Sequence, residues 1–203
     1  MITLPDIRAG AIMADPPLPF KARSRKGERR SPQQHYACMV VEQLSTIRMT
    51  SVAALDCFLF LWVPLCNVFV VEPLMDAWGF RFSGSAFVWA KQNPSGIGWK
   101  MGLGKGTRKS VEVCWLGRRG NPKRKSAAVR ELIVAPVREH SRKPDEVYSR
   151  IETFCDGPYL ELFARQQWPN WTAVGDERNK FQPTERIHAA VAAESRRTVS
   201  GNL

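Results

Sequence analysis

An acid followed by two prolines, Asp15-Pro16-Pro17, sits directly behind the apolar run Ala11-Ile12-Met13-Ala14. A short continuous apolar run of this kind reads as a strand buried on both faces. Pro16 and Pro17 carry no N–H and hold φ at about −65°, so neither can extend a central strand. Asp15 is therefore expected at the carboxyl end of a strand with stiffened neighbours. In open α/β sheets that edge is where ligands bind. Two more acids fall inside apolar, strand-like stretches: Glu112 within 111–117, and Glu161 between Leu160 and Leu162, with Arg165 leaving the end of that strand. Taken alone, Glu161 reads as a strand-end acid paired with Arg165, and Lys143 as a solvated residue at a helix start.

Two basic segments flank these acids. Residues 21–30 hold six basic residues against one acid, Glu28, and cannot bury themselves. Attached directly behind the Asp-Pro-Pro turn, Lys21, Arg23, Arg25 and Lys26 are candidates for a clamp on a phosphate backbone. Residues 91–109 carry five glycines and five basic residues, the composition of an irregular loop. Trp99 stands there among Lys100, Lys105 and Arg108, and an aromatic face amid basic side chains suits contacts to bases and phosphates. The glycines do not match the P-loop spacing, which excludes an ATP-binding loop of that kind.

The chain of 203 residues carries 30 Lys+Arg against 19 Asp+Glu, a net charge of +11. That excess points to a polyanionic partner, nucleic acid being the commonest. No stretch approaches the roughly 20 apolar residues of a spanning helix, and the N-terminus does not read as a signal peptide. A cytoplasmic protein without a membrane partner is expected. The five cysteines are scattered, with no Cys-x-x-Cys pair and no clustering with the three histidines. They read as reduced thiols, with no metal site.

The elements that must position these residues follow from periodicity. Met39, Val40, Leu44 and Ile47 are spaced for one buried helical face, and 57–64 is a continuous apolar strand ended by Pro64. Residues 67–78 show helical spacing, with Gly79 as a C-terminal stop. Residues 80–91 read as one or two strands, and 111–117 and 131–137 as further strands. Ser141 or a neighbour is expected to cap a helix with Pro144 near its first turn and Val147, Tyr148, Ile151 and Phe154 inward. Strands at 159–163 and 171–174 complete the series, and residues 196–203 read as a frayed tail. Alternating strands and helices imply an α/β fold, a mostly parallel sheet flanked by helices.

Ala-Asp-Pro-Pro-Leu at 14–18, Leu-Phe-Leu-Trp-Val at 59–63, Ala-Trp-Gly-Phe at 77–80, Phe-Val-Trp-Ala-Lys at 87–91, Thr-Arg at 107–108 with Glu112, Arg-Glu-His-Ser-Arg-Lys-Pro-Asp-Glu-Val at 138–147 and Gly-Pro-Tyr-Leu-Glu-Leu-Phe-Ala-Arg at 157–165 occur in this order. Together they resemble the adenine amino-methyltransferases of the MT-A seventy-kilodalton-subunit family, from about residue 11 through 177. The compact form looks more like the bacterial and prophage members. The resemblance implies a Rossmann-like methyltransferase fold with permuted motif order, over residues 1–180 as one domain with 181–203 as a tail, and S-adenosylmethionine as cofactor. It implies that Asp15, Pro16 and Pro17 hold the exocyclic amine of a flipped adenine with Leu18 beside it, in DNA, with RNA as the runner-up substrate. By position, Lys143 matches the lysine near the methionine carboxylate, Glu161 the acid near the cofactor ribose, and Phe163 and Arg165 its neighbours. Asp176 and Glu177 fall where the family has Asn and Gln. Arg142 joins the basic residues expected to face nucleic acid.

A second class stays open: a silent nucleic-acid-binding partner subunit, in a homodimer or heterodimer. Active family members carry Trp where this chain has Leu18, and an aromatic there would stack on the base. The silent partners carry Leu but have also lost the acid. Asp15 remains, so activity is the reading favoured.

Overall fold

The structure is a computed structural model and describes residues 2–19, 38–102 and 106–181. Lys21, Arg23, Arg25, Lys26, Lys105 and the tail beyond 181 lie outside the described residues. Seven strands form one sheet: β1 (Ala9–Ala14), β2 (Ala53–Trp62), β3 (Arg81–Gln92), β4 (Val111–Arg119), β5 (Leu132–Pro136), β6 (Tyr159–Leu162) and β7 (Trp171–Val174). Their order is β5-β3-β4-β2-β1-β6-β7. Six run parallel; β4 alone is antiparallel, paired to β2 on one side and β3 on the other. The helices are α1 (Val41–Ser45), α2 (Val71–Ala77) and α3 (Glu146–Phe154). The mostly parallel α/β arrangement expected from the alternation of patterns is the one present.

Side-chain alternation along the two central strands divides the core into two layers. Ile12 and Ala14 of β1 and Leu59 and Leu61 of β2 pack with Leu44, Leu74, Met75, Trp78 and Phe80, the α1/α2 side. Ala11 and Met13, with Phe58, Phe60 and Trp62, face Phe87, Trp89, Val147, Tyr148 and Ile151, the α3 side. The aliphatic residues of β2 thus go to one face and its aromatics to the other. Continuing the alternation past Ala14 brings Asp15 out on the α3 side.

Several boundaries differ from the sequence pattern, each for a local reason. The helix expected over 67–78 is split into a 3-10 segment (Leu65–Val70) and α2. Pro73 has no N–H to donate back to residue 69, so an α-helical ladder cannot run unbroken through this stretch. Gly79 then ends α2 at φ +78, the left-handed stop the pattern implied. The 39–47 pattern condenses to the five residues of α1, held through Leu44, whose carbonyl accepts the Trp78 indole N–H at 2.8 Å. Residues 80–91 form one strand, with pairing irregularities between Phe82 and Phe87 where Gly84 takes φ +105. Ser141 does not cap α3: it lies outside the helix at φ +61, and the cap position is Asp145. Proline disfavours helical geometry in the residue before it, here Lys143, so the helix begins only after Pro144. No helix among the described residues is long and apolar enough to cross a membrane.

Gly10 enters β1 where the chain passes closest to the β6 approach. Its N–H donates to the Pro158 carbonyl at 2.9 Å, and a Cβ there would sit 2.8 Å from the Gly157 carbonyl oxygen and 2.9 Å from that of Asp156. Backbone cannot give way as a flexible side chain can. Gly10→Ala is expected to cost about 1–3 kcal/mol, read by denaturant unfolding; an unchanged midpoint would show that the β1–β6 approach is not tight.

Candidate functional site

At the carboxyl edge of the parallel strands a cleft of about 370 Å³, open to solvent, is lined by Met13, Asp15, Trp62, Ser141, Arg142, Lys143, Tyr148, Glu161, Phe163, Arg165, Gln166 and Phe181. The β1–β6 register pairs Met13 with Glu161, so Asp15 and Glu161 emerge from adjacent strands at the same edge. Because β4 runs antiparallel, its first residues, not its last, reach that edge. This delivers Glu112, whose cross-strand partner is Trp89; Lys91 lies two residues further along β3.

Lys143 joins these strands. Its ammonium donates to Asp15 Oδ2 at 2.5 Å, lies 3.4 Å from Glu112 Oε2 and stands 5.4 Å from the centre of the Trp62 ring. Glu112 also pairs with Lys91. The two carboxylates respond differently. For Glu112 burial favours the neutral acid, but Lys143 and Lys91 together overcome it and hold the group down at about 2. For Asp15 burial wins over the shared Lys143 and the smaller effect of Arg165, Glu112 adds to burial, and the carboxyl is raised above its usual range. One shared lysine does not offset burial; two do.

Glu161 is 7% exposed. Burial, with the nearby charges of Asp15 and Asp145, outweighs the Tyr148 hydrogen bond and Lys143 and pushes its carboxyl up to about 8. Phe163 follows at φ +61, and Ser141 shares that sign. Two non-glycine residues in the left-handed region both line the cleft, and such positions concentrate at functional sites. Gly175 makes the turn at 163 possible: a Cβ there would meet the Ala164 carbonyl oxygen at 2.6 Å and nitrogen at 2.7 Å.

The cleft wall ahead of α3 is tied by Asp145, 1% exposed. Arg138 grips both its oxygens at 2.7 and 2.8 Å, and Gln166 Nε2 donates to Oδ1 at 2.9 Å. These bonds hold Asp145 below the usual carboxylate range despite burial. Arg165 donates to Glu177 at 2.8 Å and to the His140 carbonyl at 2.6 Å, linking 138–142 to the segment after β7.

The expected site residues thus divide. Asp15, Lys143, Glu161, Phe163 and Arg165 meet in one cleft. Glu177 reaches it through Arg165, whereas Asp176 is exposed and does not line it. Pro16 is buried, and its carbonyl accepts the Leu18 N–H at 2.7 Å; that of Pro17 accepts the Met39 N–H at 2.9 Å. Leu18, expected beside the adenine, is 5% exposed and packs in the α1/α2 core layer, the cluster against which the cleft residue Phe163 also packs. An apolar side chain at a strand end is better buried than left on an open edge. Arg142, expected to contact phosphate, is 8% exposed and ion-paired to Glu139 and Asp145. Trp99, at 57% exposure, Lys100 and Arg108 lie on the β3–β4 loop, outside the cleft lining. Tyr148, Gln166 and Asp145 were not expected at the site. Tyr148 carries the inward spacing of a core residue, and nothing local marks Gln166.

The raised Glu161 carboxyl has a sign for stability. The unfolded chain ionises this group near 4.5 and the folded chain near 8. Between those values unfolding releases a proton, so this group's contribution falls as pH rises. Glu161→Gln is expected to stabilise the ligand-free protein on the order of 1 kcal/mol or more at about pH 8, with the gain vanishing below about pH 4.5. Denaturant unfolding at both ends of this window checks it; a gain that does not depend on pH would contradict the assignment.

Comparison with known proteins agrees with this arrangement. The MT-A70 family profile matches residues 10–177, from the start of β1 to the acid that pairs with Arg165. The chain is 30% identical over 174 residues to the N(6)-adenosine-methyltransferase MT-A70-like protein of Arabidopsis thaliana, 84% of this chain and 24% of that protein. It is 33% identical over 127 residues to the human N(6)-adenosine-methyltransferase catalytic subunit METTL3, 60% of this chain and 22% of that one. Against the type II methyltransferase M.MunI of a Mycoplasma species it is 28% identical over 191 residues, 83% of this chain and 78% of the other. The chain spans about a quarter of the length of the plant relatives it matches. With the match running through every strand of the sheet and through Asp15, Glu112, Lys143 and Glu161 at its carboxyl edge, the chain belongs to the MT-A70 family.

Proposed function

We propose that this chain methylates the exocyclic amine of adenine in DNA, using S-adenosylmethionine. The observation that carries the reading is Asp15: a partly buried carboxylate at the cleft floor, fixed by Lys143 on one side and by the Pro16-Pro17 turn on the other. Adenine's amine is a poor nucleophile because its lone pair is delocalised into the ring. Asp15 can accept one of its N–H groups. The Pro16 carbonyl, which spends one lone pair on Leu18, can accept the other. Holding both N–H groups turns the nitrogen lone pair in a fixed direction, a positioning and electrostatic contribution. The raised Asp15 carboxyl is also suited to take the proton that the nitrogen must lose.

The cleft fits a nucleoside sulfonium cofactor. Glu161 offers an acceptor to ribose hydroxyls, Lys143 a cation to a carboxylate, and the Phe163 ring and Arg165 line the same wall. When bound, the cofactor supplies an electrophilic methyl group. Residues 1–180 form the unit proposed to act, with a base flipped out of the duplex or taken from a single strand. The exposed Trp99, Lys100 and Arg108 belong to the proposed nucleic-acid face.

DNA is favoured over RNA by a relative named a type II methyltransferase, M.MunI, 78% of which this chain covers. RNA is the second reading, favoured by the names of the N(6)-adenosine-methyltransferases. The silent-partner reading draws on Leu18, which offers no face for stacking.

Transfer of labelled methyl groups to single- and double-stranded DNA and RNA tests the proposal. DNA is expected to be the preferred acceptor, and Asp15→Ala to lower the rate by about 100-fold or more. No transfer to any nucleic acid by the folded protein would leave the silent-partner reading, and transfer to RNA alone would replace the substrate.

A further inference from the structure

Tyr148 lies in the first turn of α3, and its hydroxyl donates to Glu161 Oε2 at 2.9 Å. Its ring is gripped on two sides. It stacks on Trp168 at 4.6 Å and 8°, and meets Trp171 edge-on at 5.1 Å and 88°. Tyr148 and Glu161 both line the cleft. Among the described residues the Tyr148 hydroxyl is the one group bonded to this carboxyl, so Oε2 is anchored from behind and Oε1 is left for the cleft.

We propose that Tyr148 is a positioning residue: by taking Oε2 it fixes the Glu161 carboxylate so that Oε1 accepts the hydroxyls of a bound ribose. The inference rests on the reading of the cleft as a nucleoside-cofactor site. Oε1 has two lone pairs, enough for a vicinal diol, and accepts most strongly while the group is ionised. A donor held against a carboxylate favours the charged form. Tyr148 therefore sets both the direction of the acceptor and the pH above which it carries its charge. The other groups facing Glu161 act in both directions. Asp15 at the end of β1 and Asp145 at the start of α3 oppose ionisation, while Lys143 ahead of α3 favours it. Arg142, Arg165 and neutral Gln166 share the cleft wall, and Glu112 of β4 reaches it through Lys143. Tyr148 stays a donor throughout, since burial and the Glu161 charge push its hydroxyl well above its ordinary range.

The test is calorimetric binding of S-adenosylhomocysteine to the full chain from about pH 6 to about pH 9, bracketing the Glu161 ionisation. Wild type, Tyr148→Phe, Glu161→Gln and the double variant are compared. Phenylalanine keeps the ring between Trp168 and Trp171 and removes only the donor. Wild-type affinity is expected to rise with pH. Tyr148→Phe should bind about tenfold or more weakly near neutral pH and move that rise upward by about one pH unit. In the Glu161→Gln background the rise should vanish and Tyr148→Phe should cost nothing further. Equal weakening at every pH, or the same loss without Glu161, would reduce Tyr148 to a packing residue and overturn the inference. Should Tyr148→Phe fail to fold, Glu161→Gln decides: disappearance of the pH rise supports the inference and its persistence overturns it. A wild-type protein that binds no S-adenosylhomocysteine overturns the cofactor reading and this inference with it. Wild-type binding with an unshifted Tyr148→Phe profile overturns this inference alone.

Discussion

The site depends on how one cation, Lys143, is divided between two partly buried carboxylates. Removing a carboxylate from water costs several kcal/mol even after relaxation, and a neighbouring unit charge at about 4 Å returns roughly 4 kcal/mol at an effective dielectric of about 20. A full partner roughly balances burial; a shared one does not. Glu112, with Lys91 to itself and part of Lys143, is held fully ionised. Asp15, with the remainder, is left with its proton affinity raised. The same arrangement therefore makes one acid a permanent counter-ion and the other a group able to gain and lose a proton.

That division is a product of sheet topology. Placing β4 antiparallel between β2 and β3 brings the start of one strand to the edge where the others end. Were β4 parallel, its first residues would lie at the opposite edge of the sheet, and Lys143 would have Asp15 alone. The antiparallel strand also separates β3 and β5 from the central pair, so the β5–α3 connection carrying Lys143 must cross the sheet edge to reach Asp15. Asp145 stabilises this crossing by engaging Arg138 behind it and Gln166 beyond β6. Because Asp145 is almost fully buried, each of those bonds is made where an unmade one would be expensive.

The first turn of α3 thus serves two purposes at once. Asp145 secures the crossing loop, and three residues on Tyr148 reaches the Glu161 carboxyl. The aromatic layer under α3, including Trp168 and Trp171, keeps that turn in place. The aliphatic layer on the other face takes in Leu18, and the Asp-Pro-Pro turn is thereby anchored from beneath while its acid faces the cleft.

Much of this was legible in the sequence. Continuous apolar runs at β1 and β2, the proline stops and the order of elements determined a mostly parallel α/β sheet with Asp15 at its carboxyl edge, because burial and the missing proline N–H act over a few residues. Glu161 and Lys143 could be matched by motif, and both line the cleft. Leu18 could not be placed, since an apolar residue after a turn is compatible with a ligand pocket or with the core until the layer beneath it exists. Nor could the sequence tell that Arg142 is spent on Glu139 and Asp145, because a basic residue in a charged stretch looks the same whether paired or free. The pairing of Lys143 with Asp15 spans 128 residues, and the antiparallel turn of β4 that adds Glu112 leaves no local mark. Those distant contacts set the charge of each carboxyl, and only the tertiary structure decided them.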